Sequence, residues 1–187
     1  MSELSKAYSK SARTLGSDRL EFAQREIDSE NAARFLAFQE RPLHEFGRAA
    51  LLLFALELLP ADEHVEFVDN LFMYGDSREQ EALLRALSIL PDQGRFLATA
   101  VEACRANVQT VFEAIACENL YPGCYFPEPN FNQMVLKAVF TGISLRRIVG
   151  LPDRITPRLR GMANDHIKEL TAAGRPVRED ITLIMNP

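Results

Sequence analysis

At 187 residues, with 47% hydrophobic and 25% charged residues, the chain has the composition of an ordinary globular protein and not of a disordered one. A domain of this size hides roughly 70% of the surface its unfolded chain exposes, so one core suffices without disulfide or metal staples. The net charge of −5, with no basic stripe to set against it, excludes the electrostatic footprint of a nucleic-acid binder.

The N-terminal stretch MSELSKAYSKSARTLGSDR carries positive charges but no apolar h-region, so it does not read as a secretory signal. From Leu20 to Phe38 the apolar positions Leu20, Ala23 and Ile27, then Ala32, Phe35, Leu36 and Phe38, recur at the helical period. Ser29 is placed to cap the second run and split the stretch into two helices. Residues 1–40 are therefore expected to form an N-terminal helical extension, with 41–187 as the main helical domain and the whole as one compact unit. Phe22, Phe35 and Phe38 suit a core or an interface between copies, which leaves a homo-oligomer open.

Pro42 opens a helix from Leu43 to Leu59 whose LLLFALELL run is apolar nearly all round, the mark of a central, buried element. Its apolar stretch, Ala49 to Leu56, stops at Glu57, far short of the roughly 20 residues that span a membrane. The chain is expected to be cytoplasmic. Pro60 ends this helix, and Asp62 is placed to cap the next run, Val65, Val68, Leu71 and Phe72, which closes at Gly75. Ser77 precedes a short amphipathic helix through Ala82, Leu83, Leu84, Leu87, Ile89 and Leu90, ended by Pro91. Helix, tight turn, helix, in pairs of about 35 residues, predicts an all-α single domain of paired antiparallel helices with HEAT-like, α-α superhelix packing.

The spacing of Leu97, Val101, Cys104, Val108, Phe112 and Ile115 predicts one long helix from about Gln93 to Glu118. Its other side carries Glu102, Arg105, Gln109 and Glu113, the last three stepping by four along one line, a pattern that also fits a solvated face. Between Tyr121 and Pro129 lie three prolines, a glycine and three aromatics, which predicts a rigid loop packed on the body. The following helix has Phe131, Met134, Val135, Ala138 and Val139 as its core face, with Asn130, Gln133 and Lys137 on another side and Asn132 nearer the apolar flank of Leu136 and Phe140. Lys137 either reaches solvent or faces a polar cavity, and if buried it needs a partner, for which Glu113, Glu118 and Glu128 are the carboxylates at hand.

Thr156 with Pro157 starts a last long helix that stops at Gly174. Arg146, Arg147, Arg154, Arg158 and Arg160 are the one basic concentration, suited to a phosphate or carboxylate, or to salt bridges with the 26 acidic residues. Cys104, Cys117 and Cys124 show neither a CxxC pair nor a nearby His, and His44, His64 and His166 lie far apart, so neither a disulfide framework, a metal site nor a cofactor is indicated.

The segment VFEAIACENLYPGCYFPEPNFNQMVLKAVFTGISLRRIVGLPDR, with its FNQMVLKA core and closing RRIVGL, resembles the EboA-domain proteins. The resemblance runs from about Leu52 to Pro176 and is densest between Arg105 and Leu151. Asn132, Gln133 and Lys137 coincide with the family motif, together with Glu113, Asn119, Tyr125 and Arg147, while Cys124 sits where the motif requires no particular residue. What the resemblance implies is an accessory part in an ebo-type secondary-metabolite pathway. Members are encoded beside a UbiA-type prenyltransferase and proteins like dehydroquinate synthase, sugar isomerases and phosphatases, in a cluster linked to delivering precursors such as those of scytonemin to the periplasm. Two functions follow as expectations. One is a helical module that binds a small-molecule intermediate or another ebo-cluster protein. The other is an enzyme acting on a phosphorylated or polyhydroxylated small molecule, with Glu113 or Lys137 as acid or base and arginines orienting the anionic group. Under either, Arg105, Glu113, Asn132, Gln133 and Lys137 are expected to meet at one polar cavity, with Tyr125 at its rim and Asn119 and Arg147 close by.

Overall fold

A computed structural model describes residues 6–10, 14 and 41–185. The helices expected within 20–38, and the phenylalanines offered there as an interface, lie outside the described residues. The described part is all-α: α1 is Leu43–Leu58, α2 His64–Tyr74, α3 Ser77–Ala86, α4 Leu97–Ala103, α5 Gln109–Ala116, α6 Tyr121–Tyr125, α7 Glu128–Thr141, α8 Pro157–Ala172 and α9 Thr182–Met185. Short 3-10 turns stand before α4 and between α7 and α9. Packing runs between helices one or two apart along the chain, α1 on α3, α2 on α3 and α4, α3 on α5, α5 on α7 and α7 on α8. Their unequal lengths define no repeating unit, so the structure supports helix-on-helix packing without a HEAT array.

Much of α3 is enclosed, and its sequence SREQEALLRA hides that fact. Ala82, Leu83, Leu84 and Ala86 are fully buried, and the charged Arg85 and Glu79 are buried beside them. Arg85 is held by Glu45 of α1 at 3.0 Å and by Glu81 at 3.6 Å. The helix starts at a capping box in which Asp76 accepts the Glu79 N–H at 2.9 Å and Glu79 accepts the Asp76 N–H at 3.0 Å. Ser77, the residue expected before this helix, is its first helical residue. The apolar α1 is less central than its composition suggests, for Leu52, Ala55 and Leu56 are buried while Phe54 and Leu58 are more than half exposed. An all-round apolar helix has one face too many when only one side meets the core.

Asp62 does not cap α2 either. The turn closed by Glu63 N–H to the Pro60 carbonyl delivers the chain to Glu63 already in the αR region, and a capping aspartate needs extended backbone there. The expected caps do hold on α8, where Thr156 accepts the Leu159 N–H at 3.2 Å and Gly174 takes φ +64° after the last turn. Residues 6–10 are helical and dock on this hub, with the buried Tyr8 hydroxyl donating to the Glu79 carbonyl at 2.8 Å and Arg48 donating to the Tyr8 carbonyl at 3.2 Å.

Candidate functional site

The long helix expected over 93–118 is broken. After a 3-10 turn at Gln93–Phe96, α4 ends at Ala103 and α5 begins only at Gln109, with Val108 extended and about half exposed between them. No Gly or Pro marks the break. Its stabiliser comes from elsewhere in the chain, for Lys137 of α7 donates from Nζ to the carbonyls of Cys104 and Ala106, each at 2.7 Å, and lies 4.6 Å from the centre of the Phe112 ring. The end of a helix leaves carbonyls without N–H partners and carries partial negative charge, so an ammonium there satisfies both. The requirement of Lys137 for a partner is met by backbone oxygen and an aromatic face, and none of Glu113, Glu118 and Glu128 serves it.

Beside this contact a cavity of about 230 Å³ opens between α4 and α7. Its walls are Val101, Cys104, Arg105, Phe126, Asn130, Gln133, Met134 and Lys137. Two cations and two amides thus face a space otherwise bounded by apolar groups, and no carboxylate lines it. Arg105 is paired with Glu102 at 2.7 Å on the exposed side, so its charge is already balanced where it borders the cavity. Burial pushes the Cys104 thiol up to about 12, against the pull of Lys137 and Arg105, so at neutral pH it is a neutral wall and no nucleophile.

Of the residues expected to meet, the structure brings Arg105, Gln133 and Lys137 to this cavity. Glu113 and Arg147 belong to a separate cluster. Arg147 donates to Glu113 at 2.5 Å and through two nitrogens to Glu118 at 2.7 and 2.9 Å, which raises its already high pKa. Gln109 donates to Glu113 at 2.7 Å. Glu113 and Lys137 therefore do not form an acid–base pair. Asn119 is a structural clasp, donating to the Leu84 and Ala114 carbonyls at 3.1 and 2.9 Å and accepting the Tyr121 N–H at 2.9 Å. Tyr125 bonds Gln93 at 3.1 Å, packs on Tyr121 and is not one of the cavity's walls. Asn132 is fully buried, with its amide 3.5 Å from Glu128 and its Oδ1 without a hydrogen-bond partner.

The rigid segment after Tyr121 supplies Phe126, a wall that sequence reasoning missed. Its position is set by Arg154, which donates to the Gly123 carbonyl and, at 2.6 Å, to that of Phe126 while its guanidinium covers Phe131. Arg147 and Arg154, two of the concentrated arginines, are thus occupied within the protein. Asn130 shares the helical side of Gln133 and Lys137, a spacing that placed it beside them without marking it as a wall. Among the described residues, no helix is long and apolar enough to cross a membrane, and no group of His, Cys, Asp and Glu is arranged to hold a metal ion.

Over residues 1–186 the chain matches the family model described as "Metabolite traffic protein EboA", a span that includes its first 40 residues. No curated protein and no solved structure matches it. The chain belongs to the EboA family.

Proposed function

We propose that this EboA-family chain handles a small metabolite by holding it, without transforming it, in the cavity between α4 and α7. The observation that carries the reading is the mixed wall itself, in which Lys137, Arg105, Asn130 and Gln133 offer convergent polar groups among Phe126, Met134 and Val101. The family description supports a part in metabolite traffic. In that reading the protein is an accessory of a secondary-metabolite pathway, acting where it is made and passing its ligand to another ebo-cluster protein. An acid–base enzyme built on Glu113 and Lys137 receives no support, because each residue is held in a different cluster.

The test is to plug the cavity without touching the core. Gln133 is exposed on one flank of the wall, so Gln133→Trp places an indole across the opening at little cost in folding. In a cell whose pathway depends on the protein, the variant should keep its melting temperature and lose product. Full output from the well-folded variant would remove the cavity from the mechanism.

A further inference from the structure

We propose that the cavity selects a small monocarboxylate with an apolar body about one ring in size. This inference rests on the reading that the cavity is the binding site, and it adds the chemical class of the ligand.

The charge of the wall sets the charge of the occupant. Lys137 has three N–H donors, and two are taken by the Cys104 and Ala106 carbonyls, which leaves one to meet a ligand. Arg105 enters already neutralised by Glu102, although a guanidinium has donors to spare. The thiol of Cys104 remains neutral and subtracts nothing. The wall thus presents about one net positive charge, which a single carboxylate balances. A phosphate monoester brings about 1.5 to 2 negative charges and would leave part of them uncompensated in a half-enclosed space.

The body of the ligand follows from the remaining walls. Phe126, Met134 and Val101 are apolar, and methionine adapts to a ring edge or face. The amides of Asn130 and Gln133 both donate and accept, so a hydroxyl or carbonyl on the ring is accommodated. The volume of about 230 Å³ corresponds to roughly eight waters at about 30 Å³ each and falls below the usual 300–1,000 Å³ of pockets for larger ligands.

The experiment is calorimetric titration of the full chain with benzoate, benzamide and phenyl phosphate, matched in ring and differing in head-group charge. Benzoate should bind at least about tenfold more tightly than benzamide, and more tightly than phenyl phosphate. Lys137→Met should erase the preference for benzoate over benzamide. Arg105→Gln, altered at a side chain 72% exposed, should fold normally and reduce the preference, which keeps the test intact if Lys137→Met does not fold. Equal binding of benzoate and benzamide would overturn the selection by charge and leave the cavity as a binding site. Tighter binding of phenyl phosphate would overturn the monocarboxylate in favour of a phosphorylated ligand. Failure of all three probes to bind, or a preference unchanged in both variants, would overturn this proposal, while the cavity reading stands or falls separately on the output of Gln133→Trp.

Discussion

Among the described residues, the polar centre around α3 and the one between α4 and α7 differ in how completely they are satisfied. Around α3, the Arg85 guanidinium meets Glu45 and Glu81, and Asn119 spends its amide on two carbonyls and one N–H. Between α4 and α7, Lys137 spends two of its three donors and faces a cavity with Gln133 and Asn130. Burial alone would rank the first centre as the more unusual. Spare hydrogen-bonding capacity facing open space is what separates a binding wall from an internal clasp. Where each nitrogen of a guanidinium meets a carboxylate, as at Arg147, a charged cluster is part of the scaffold.

The sharpest way to break this distinction is to disturb the α3 centre. Arg85→Met leaves Glu45 buried without its cation, and such a loss costs about 3–5 kcal/mol. Burial already lowers the pKa of Arg85, with Glu45 acting against that, so the pair survives only as a pair. Urea melts should show the loss in Arg85→Met and most of it recovered in Arg85→Met combined with Glu45→Leu. A single mutant as stable as the parent would show that the α3 centre is not a structural clasp.

Asn119→Ala should come next, at about 2–3 kcal/mol, because buried carbonyls of Leu84 and Ala114 and the Tyr121 N–H lose their partner together. Ligand affinity of the folded fraction should not change. A variant with an intact melting temperature and lost pathway output would return Asn119 to the binding residues. Lys137→Met should cost less, about 1.5 kcal/mol, since Cys104 lines the cavity and Ala106 is only partly buried, so water can replace the ammonium at their carbonyls. Thermal melts of the two variants side by side order the centres, and a larger loss for Lys137→Met than for Asn119→Ala would reverse that order.

Much of the helical frame was legible because periodicity reports which face is apolar. The core face of α7, Phe131, Met134, Val135, Ala138 and Val139, is buried as its spacing predicted, and the three polar residues on its other side all line the cavity. The break between α4 and α5 was not legible. The apolar seam continues through Cys104 and Val108, and the group that stabilises the interruption is a lysine more than 30 residues away. For the same reason Glu113 stood with Glu118 and Glu128 among the carboxylates at hand for Lys137. On a continuous helix the line Arg105, Gln109, Glu113 faces one way; once the helix breaks after Ala103, Arg105 goes with the cavity and Glu113 with Arg147. The enclosure of α3 was hidden too, since a helix can bury Arg and Glu when a neighbour pairs with them, and composition does not record the neighbour.

The smallest expected effect belongs to Glu113, and it distinguishes a scaffold cluster from a catalytic one by pH. Burial pushes the Glu113 carboxyl upward, but the hydrogen bonds from Arg147 and Gln109 and the charges of Arg147 and Arg41 outweigh it and hold the pKa below its ordinary value of 4.5. A carboxyl whose folded pKa lies below its unfolded one contributes stability that is fully present above the unfolded value and fades as pH falls through the folded one. The contribution should therefore be constant at neutral pH and disappear in the acid range below 4.5. Because the pair is partly exposed, Glu113→Gln should cost no more than about 1 kcal/mol at pH 7, with the difference from the parent shrinking as the pH falls below 4.5 and in high salt. Paired melts at pH 7 and pH 3.5 measure this directly. A general acid or base would behave in the opposite way, with a pKa drawn toward neutrality and a variant that melts like the parent while its function is lost. A Glu113→Gln protein of unchanged stability and abolished output would thus place Glu113 in the chemistry and dissolve the separation between the two clusters.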